Sequence, residues 1–183
     1  MGKSLFFITN SQAKIMRIFL LFLLTAVLGL PVHAQRDLVE VTQGLNNYTT
    51  MVSALKSAGL VDDLRTGGPL TVLAPTDQAF EQLSASERNA LFESGNEKAL
   101  GRLLTYHVLP GLYTAGDILK AVRENSNRAT FKTMEGGALT ATIRGDALYF
   151  IDEQGRESKW ISTDHRASNG TLHALDAVLM PAD

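Results

Sequence analysis

Three observations in this sequence predict an α+β fold with a mainly antiparallel sheet. Apolar residues recur at helical spacing through most of the first half, from Leu38 to Val122. Two compact runs, Leu70 to Ala74 and Tyr106 to Leu109, interrupt them as strands. After Asn125 the texture changes to short alternating runs divided by Gly136-Gly137 and Gly145-Asp146, which are hairpin signals.

Asp37 is an N-cap candidate before Leu38, Val39, Val41 and Leu45, so the chain opens with a short helix. Tyr48, Met51, Val52 and Leu55 follow at i, i+3, i+4, i+7 and predict a second helix ended by Gly59. Leu60 to Leu64 adds a further turn. Leu70 to Ala74 reads as a buried strand stopped by Pro75, and Thr76 and Asp77 read as N-cap residues for a helix that begins at Gln78. Ser84 and Glu87 have the spacing of a capping box, which places Leu91 and Phe92 toward the core. Asn96 to Thr105 continues as helix and passes directly into a strand ended by Pro110-Gly111; Thr114 to Val122 is one more helix. Thr130–Thr133, Ala138–Arg144, Ala147–Ile151 and Ser158–Thr163 form a meander. The closing stretch, Asn169 to Pro181, reads as one final alternating strand opened by a positive-φ Asn169-Gly170 turn.

The chain has 183 residues, 45% of them hydrophobic and 20% charged, enough for one domain with a core of its own. Its net charge of −2 gives no basic face for nucleic acid. Lys14 and Arg17 precede an apolar run from Ile18 to Leu30, and Val32-His33-Ala34 closes it as a signal-peptidase site. The run is shorter than the roughly 20 residues of a spanning helix, so residues 1–34 are expected to be a removable signal peptide. Met16 is an alternative start. Residues 35–183 keep 14 basic against 19 acidic residues, a net charge of −5, and no cysteine, so neither disulfides nor thiolate metal sites are available.

His165 and His173, with Asp164 and Asp176, are the only cluster of residue types suited to a metal or to acid-base chemistry. Their spacing suits neither. On a strand His173 and Asp176 would face opposite sides, and Ser168 lacks the G-x-S-x-G turn of a hydrolase nucleophile. No phosphate loop or zinc spacing occurs. The residues therefore predict no cofactor, no metal and no catalysis. Asn47-Tyr48-Thr49 and Asn169-Gly170-Thr171 are formal glycosylation acceptors.

Three segments, Thr71–Phe80 (TVLAPTDQAF), Leu103–Gly111 (LLTYHVLPG) and Asn169–Pro181 (NGTLHALDAVLMP), resemble the marker segments of the fasciclin (FAS1) domain family in order and spacing. The resemblance covers about Asp37 to Pro181. It implies one domain over residues 35–183, a wedge-shaped and mainly antiparallel β-sandwich decorated by short helices, as found in secreted and surface proteins; the short, cysteine-free form reads as bacterial. It also implies a non-catalytic adhesion module of the cell surface, periplasm or matrix. The partner would be a surface or matrix protein or a polysaccharide; the residues set no oligomeric state, and a monomer is the default. Within those segments Thr71, Pro75, Thr76, Asp77, Phe80, Asn169, Gly170, His173 and Asp176 are the family's structural positions. Its Tyr-His interaction motif falls on Tyr106 and His107, flanked by Leu104 and Val108. A second motif, Asp-Ile, falls on Asp164, where His165 replaces the Ile; Asp117-Ile118 lies in the wrong segment to substitute.

From the residues alone, an amphipathic Tyr106 and a neutral His107 at a helix-to-strand junction are expected to be buried with backbone partners. Two other functions remain open: a small-molecule or lipid carrier with an apolar pocket between helices and sheet, and a hydrolase.

Overall fold

The computed structural model describes residues 35–182; the signal peptide expected over residues 1–34 lies outside them. No helix among the described residues is long and apolar enough to cross a membrane. In chain order the elements are α1 Leu38–Gly44, α2 Thr49–Ser57, α3 Val61–Thr66, β1 Leu70–Pro75, α4 Asp77–Glu81, α5 Ala85–Phe92, α6 Glu97–Tyr106, β2 Val108–Pro110, α7 Ala115–Glu124, β3 Arg128–Lys132, β4 Ala138–Arg144, β5 Ala147–Ile151, β6 Glu157–Ala167 and β7 Gly170–Leu175.

Local side-chain caps start four of the seven helices among the described residues. Asp37 with Glu40, Ser84 with Glu87, and Thr114 with Asp117 each form a complete capping box. Gly59, at φ +70°, closes α2: its N–H reaches the Lys56 carbonyl and the Leu60 N–H reaches that of Leu55. Leu91 is buried as expected. Phe92 is not, since it is 41% exposed and lies edge-on to Phe80 at 6.0 Å.

The strands run in the order β2-β1-β7-β6-β5-β4-β3, and every pair is antiparallel except β1 with β7. The β6 strand serves both halves of this ladder, pairing β5 through Glu157–Lys159 and β7 from Trp160 onward. One core joins the helices to Val72, Ala74, Leu172 and Ala174. The other joins Leu73 and Leu175 to Phe131, Leu139 and Phe150 from the opposite half of the ladder, so the two halves close on each other as a sandwich.

The last element departs from the sequence expectation. The strand stops at Leu175, and all six of its residues are buried because helices cover one face and the sandwich interior the other. Alternation of chemistry there does not mean alternation of exposure. Neither Asn169 nor Gly170 has a positive φ. Gly170 is required by close approach instead, since a Cβ would collide with the Leu70 carbonyl oxygen and with Leu38 Cδ1.

Candidate interaction site

Helix α6 ends on Tyr106 and its C-cap is His107, so the helix-to-strand junction aims both side chains inward. The Tyr106 hydroxyl donates to the Ala138 carbonyl (2.9 Å) and accepts from the Glu153 N–H (3.3 Å). Burial pushes its pKa up to about 12. His107 donates from Nδ1 to the Leu103 carbonyl (2.9 Å), and its Nε2 accepts the Leu179 N–H (3.2 Å). These partners fix one neutral tautomer. Burial pulls the His107 pKa down to about 4, against the bond to Leu103 and the charge of Asp152. Both residues are essentially inaccessible, at 0% and 1% exposure. The interaction role expected for this pair is corrected accordingly: neither side chain presents an atom to a partner, and both tie the helix to the sandwich.

Asp164 lies in the irregular part of β6, at φ +56°, between register shifts. Its Oδ1 accepts the Ala115 N–H (2.9 Å) at the first turn of α7, and its own N–H donates to His173 Nδ1 (3.1 Å). His173 Nε2 completes the chain by donating to the Tyr113 carbonyl (2.8 Å). This is the opposite tautomer to that of His107. Burial lowers the His173 pKa, while the Tyr113 bond and the Asp164 charge oppose the shift. His165, where the family motif has an aliphatic residue, is half-buried and contacts Ser162 Oγ through Nε2 (2.9 Å).

Asp164 also lines a surface cleft of about 560 Å³, walled by Thr66, Pro69, Leu112, Arg166 and Asn169. Leu112 is 53% exposed, and Arg166 makes no ion pair among the described residues. The cleft thus carries a carboxylate, a guanidinium and an exposed aliphatic group side by side.

The remaining marker residues have structural partners. Thr71 Oγ1 donates to the Gly111 carbonyl and accepts the Tyr113 N–H, both at 2.8 Å. Pro75 and Phe80 are buried, and Thr76 caps α4 at the Ala79 N–H. Asp77 does not share that task, contrary to expectation. Its carboxylate reaches back to cap α2, accepting the Thr50 N–H (2.7 Å) and the Thr49 hydroxyl (2.6 Å). Desolvation raises its pKa, but the bonds from Thr49 and Thr50 outweigh it and leave the carboxyl below the usual range.

Asn169 links three elements. Its amide nitrogen donates to the Leu64 (2.6 Å) and Gly67 (2.9 Å) carbonyls, and its oxygen accepts the Leu38 N–H (3.0 Å). An N-linked glycan there would break these bonds, whereas Asn47 is exposed. Of the four residues His165, His173, Asp164 and Asp176, the structure brings Asp164 and His165 to His173, while the Asp176 carboxylate accepts the Lys159 N–H (2.7 Å). Among the described residues no group of three or more His, Cys, Asp or Glu could hold a metal ion.

Asp152 went unnoticed in the sequence. It is buried, and its carboxylate accepts N–H groups from Gln154, Arg156 and Met180. Its signal was an Asp three residues before Gly155, which marks a turn but not the distant Met180.

The fasciclin domain family model matches residues 46–181. Protein sll1483 of Synechocystis sp. is 36% identical, over 79% of this chain and 73% of its own length. Transforming growth factor-beta-induced protein ig-h3 of Sus scrofa is 34% identical over 78% of this chain, which spans only 19% of that protein. Among solved structures, a FAS1 domain pair from the insect cell adhesion molecule fasciclin I superposes with a TM-score of 0.57 at 20% identity, over 71% of this chain and 44% of that one. With the family model matching residues 46–181 and a relative 36% identical over most of both lengths, the chain belongs to the fasciclin domain family.

Proposed function

We propose that this chain is an exported, non-catalytic fasciclin module that binds a surface or matrix protein or a polysaccharide through the cleft beside Asp164. The observation that carries this reading is the division of labour among the marker side chains. Tyr106, His107, Asn169 and His173 spend their polar atoms on the fold, while Arg166, Leu112 and the rim at Asp164 remain accessible. Exposed charge beside exposed aliphatic surface suits recognition, because each polar group can be satisfied by a partner while apolar area is buried.

A lipid carrier is less well supported, because an apolar recess between the helices and β2, lined by Leu55, Leu64, Leu104 and Val108, encloses only about 10 Å³. Against a hydrolase stands the setting of Ser162 and His165. They are within hydrogen-bond reach, but among the described residues the imidazole donates to no carboxylate that would orient it.

The test is attachment of cells or envelope extract to the immobilised protein, for wild type, Arg166→Ala and Leu112→Ser. Attachment by wild type that both substitutions weaken, with unchanged circular dichroism, is expected. Equal attachment by all three folded proteins would refute the cleft as the surface. N-terminal sequencing of the exported protein is expected to begin at Gln35.

A further inference from the structure

Among the described residues the two walls of the cleft at Asp164 share one direct hydrogen bond, and both also bond to a single imidazole. On one side is the β6 turn, held by the Asp164 N–H on His173 Nδ1. On the other is the segment leading into α7, whose Tyr113 carbonyl accepts from His173 Nε2 and whose Tyr113 N–H donates to Thr71 Oγ1. The flanking residues Leu112 and Thr114 line the cleft with Asp164. The direct bond between the walls is that of Asp164 Oδ1 with the Ala115 N–H.

This arrangement works only for the neutral ring with its proton on Nε2. A second proton would have to sit on Nδ1, which then faces the Asp164 N–H donor for donor. Nδ1 cannot turn elsewhere, since His173 has no exposed surface and the Trp160 ring lies against it, centroids 4.7 Å apart. Asp164 holds a left-handed φ in this turn, a conformation maintained only while its surroundings enforce it.

We infer that His173 is the positioning residue of the cleft and a proton-operated latch: protonation expels the Asp164 N–H from Nδ1 and releases the turn that forms one wall. The inference rests on the reading of the cleft as the binding surface and supplies its regulation, so that partner binding is weaker in acid. The groups that face the ring are few. From β6 they are the Asp164 carboxylate, which favours the charged ring, and His165, which opposes it. Tyr113 is the titratable residue on the segment before α7, and β1 presents the neutral Leu73 in register. His107 is not part of the device, because its partners are Leu103 and Leu179.

NMR on the protein without any partner tests the latch. The His173 ring nitrogens report its protonation, amide exchange at Asp164 and Ala115 reports release of the turn, and amides of the β1–β7 pair report global opening. Between the ordinary histidine pKa of 6.5 and the lower value of the closed state, protection at Asp164 and Ala115 is expected to fall about tenfold per pH unit and to lie below that of the β1–β7 amides throughout, whose own decline follows the His107 and His173 linkage of global unfolding. His165→Gln is expected to keep this response and His173→Gln to lose it.

Constant protection at Asp164 through protonation of His173, protection at Asp164 equal to that of the β1–β7 amides at every pH, or a retained response in His173→Gln would each overturn the inference. If His173→Gln does not fold, wild type decides alone: an amide response without ring protonation refutes the latch. Because no partner is present, failure here leaves the binding reading standing, and failure of attachment leaves the latch standing.

Discussion

Lowering the pH from 7 to 5 is expected to cost this domain about 2 kcal/mol through His107 alone. The folded ring is neutral, with a pKa pulled from 6.5 to about 4 by burial. A histidine with a depressed folded pKa contributes its full stability above 6.5 and loses it as pH falls toward 4, because only the unfolded chain takes up the proton in that window. At pH 5 the unfolded ring is protonated roughly thirtyfold over neutral, and the folded ring in about one molecule in ten. The logarithm of that ratio is worth about 2 kcal/mol, a substantial share of a typical domain stability of 5–15 kcal/mol. His173 shifts in the same direction and adds to the loss.

The carboxylates do not confuse the measurement. Glu87, held at about 2 chiefly by Ser84 and then Arg156, loses its contribution only as pH falls below its ordinary 4.5. The assay is urea unfolding at pH 7 and pH 5 for wild type and His107→Gln, whose side chain does not titrate. Wild type should lose about 2 kcal/mol more than the variant between the two pH values. An equal pH dependence in both would refute the assignment of a neutral, buried His107.

Two substitutions probe the closing segment. Asn169→Ala leaves the Leu38 N–H and the Leu64 and Gly67 carbonyls without their partner, and at about 1 kcal/mol for each should lower the unfolding free energy by roughly 3 kcal/mol; a change under about 0.5 kcal/mol in urea would contradict the bridge. Gly170→Ala sets a methyl against the Leu70 carbonyl where β1 and β7 meet, and should cost about 3 kcal/mol, seen as a fall of roughly 6–12 °C in Tm by calorimetry.

These residues also mark where the sequence could be read and where it could not. The capping box at Ser84 and the N-cap at Asp37 were visible because each side chain caps a backbone N–H three residues on. The hairpin between β4 and β5 was visible for the same reason, with Gly145 at φ +58° in its two-residue turn. Asp77 was misread because its local role as an N-cap is chemically sound; only the fold brings it to Thr49, 28 residues back. Tyr106 and His107 read as a recognition motif through the family resemblance and, more strongly, as buried junction residues from their own chemistry, since the same amphipathic side chains serve both.

What the sequence determined by itself was set by short-range chemistry: helix faces from apolar spacing, helix starts from capping oxygens, hairpins from glycine. It also determined the family, through three segments whose order and spacing persist. The tertiary structure alone decided the parallel pairing of β1 with β7, the burial of β7 on both faces, and the tautomers of His107 and His173. Those outcomes depend on donors and acceptors far apart in the chain. A buried polar group takes whichever partner the fold delivers, and nothing in its sequence neighbours names that partner.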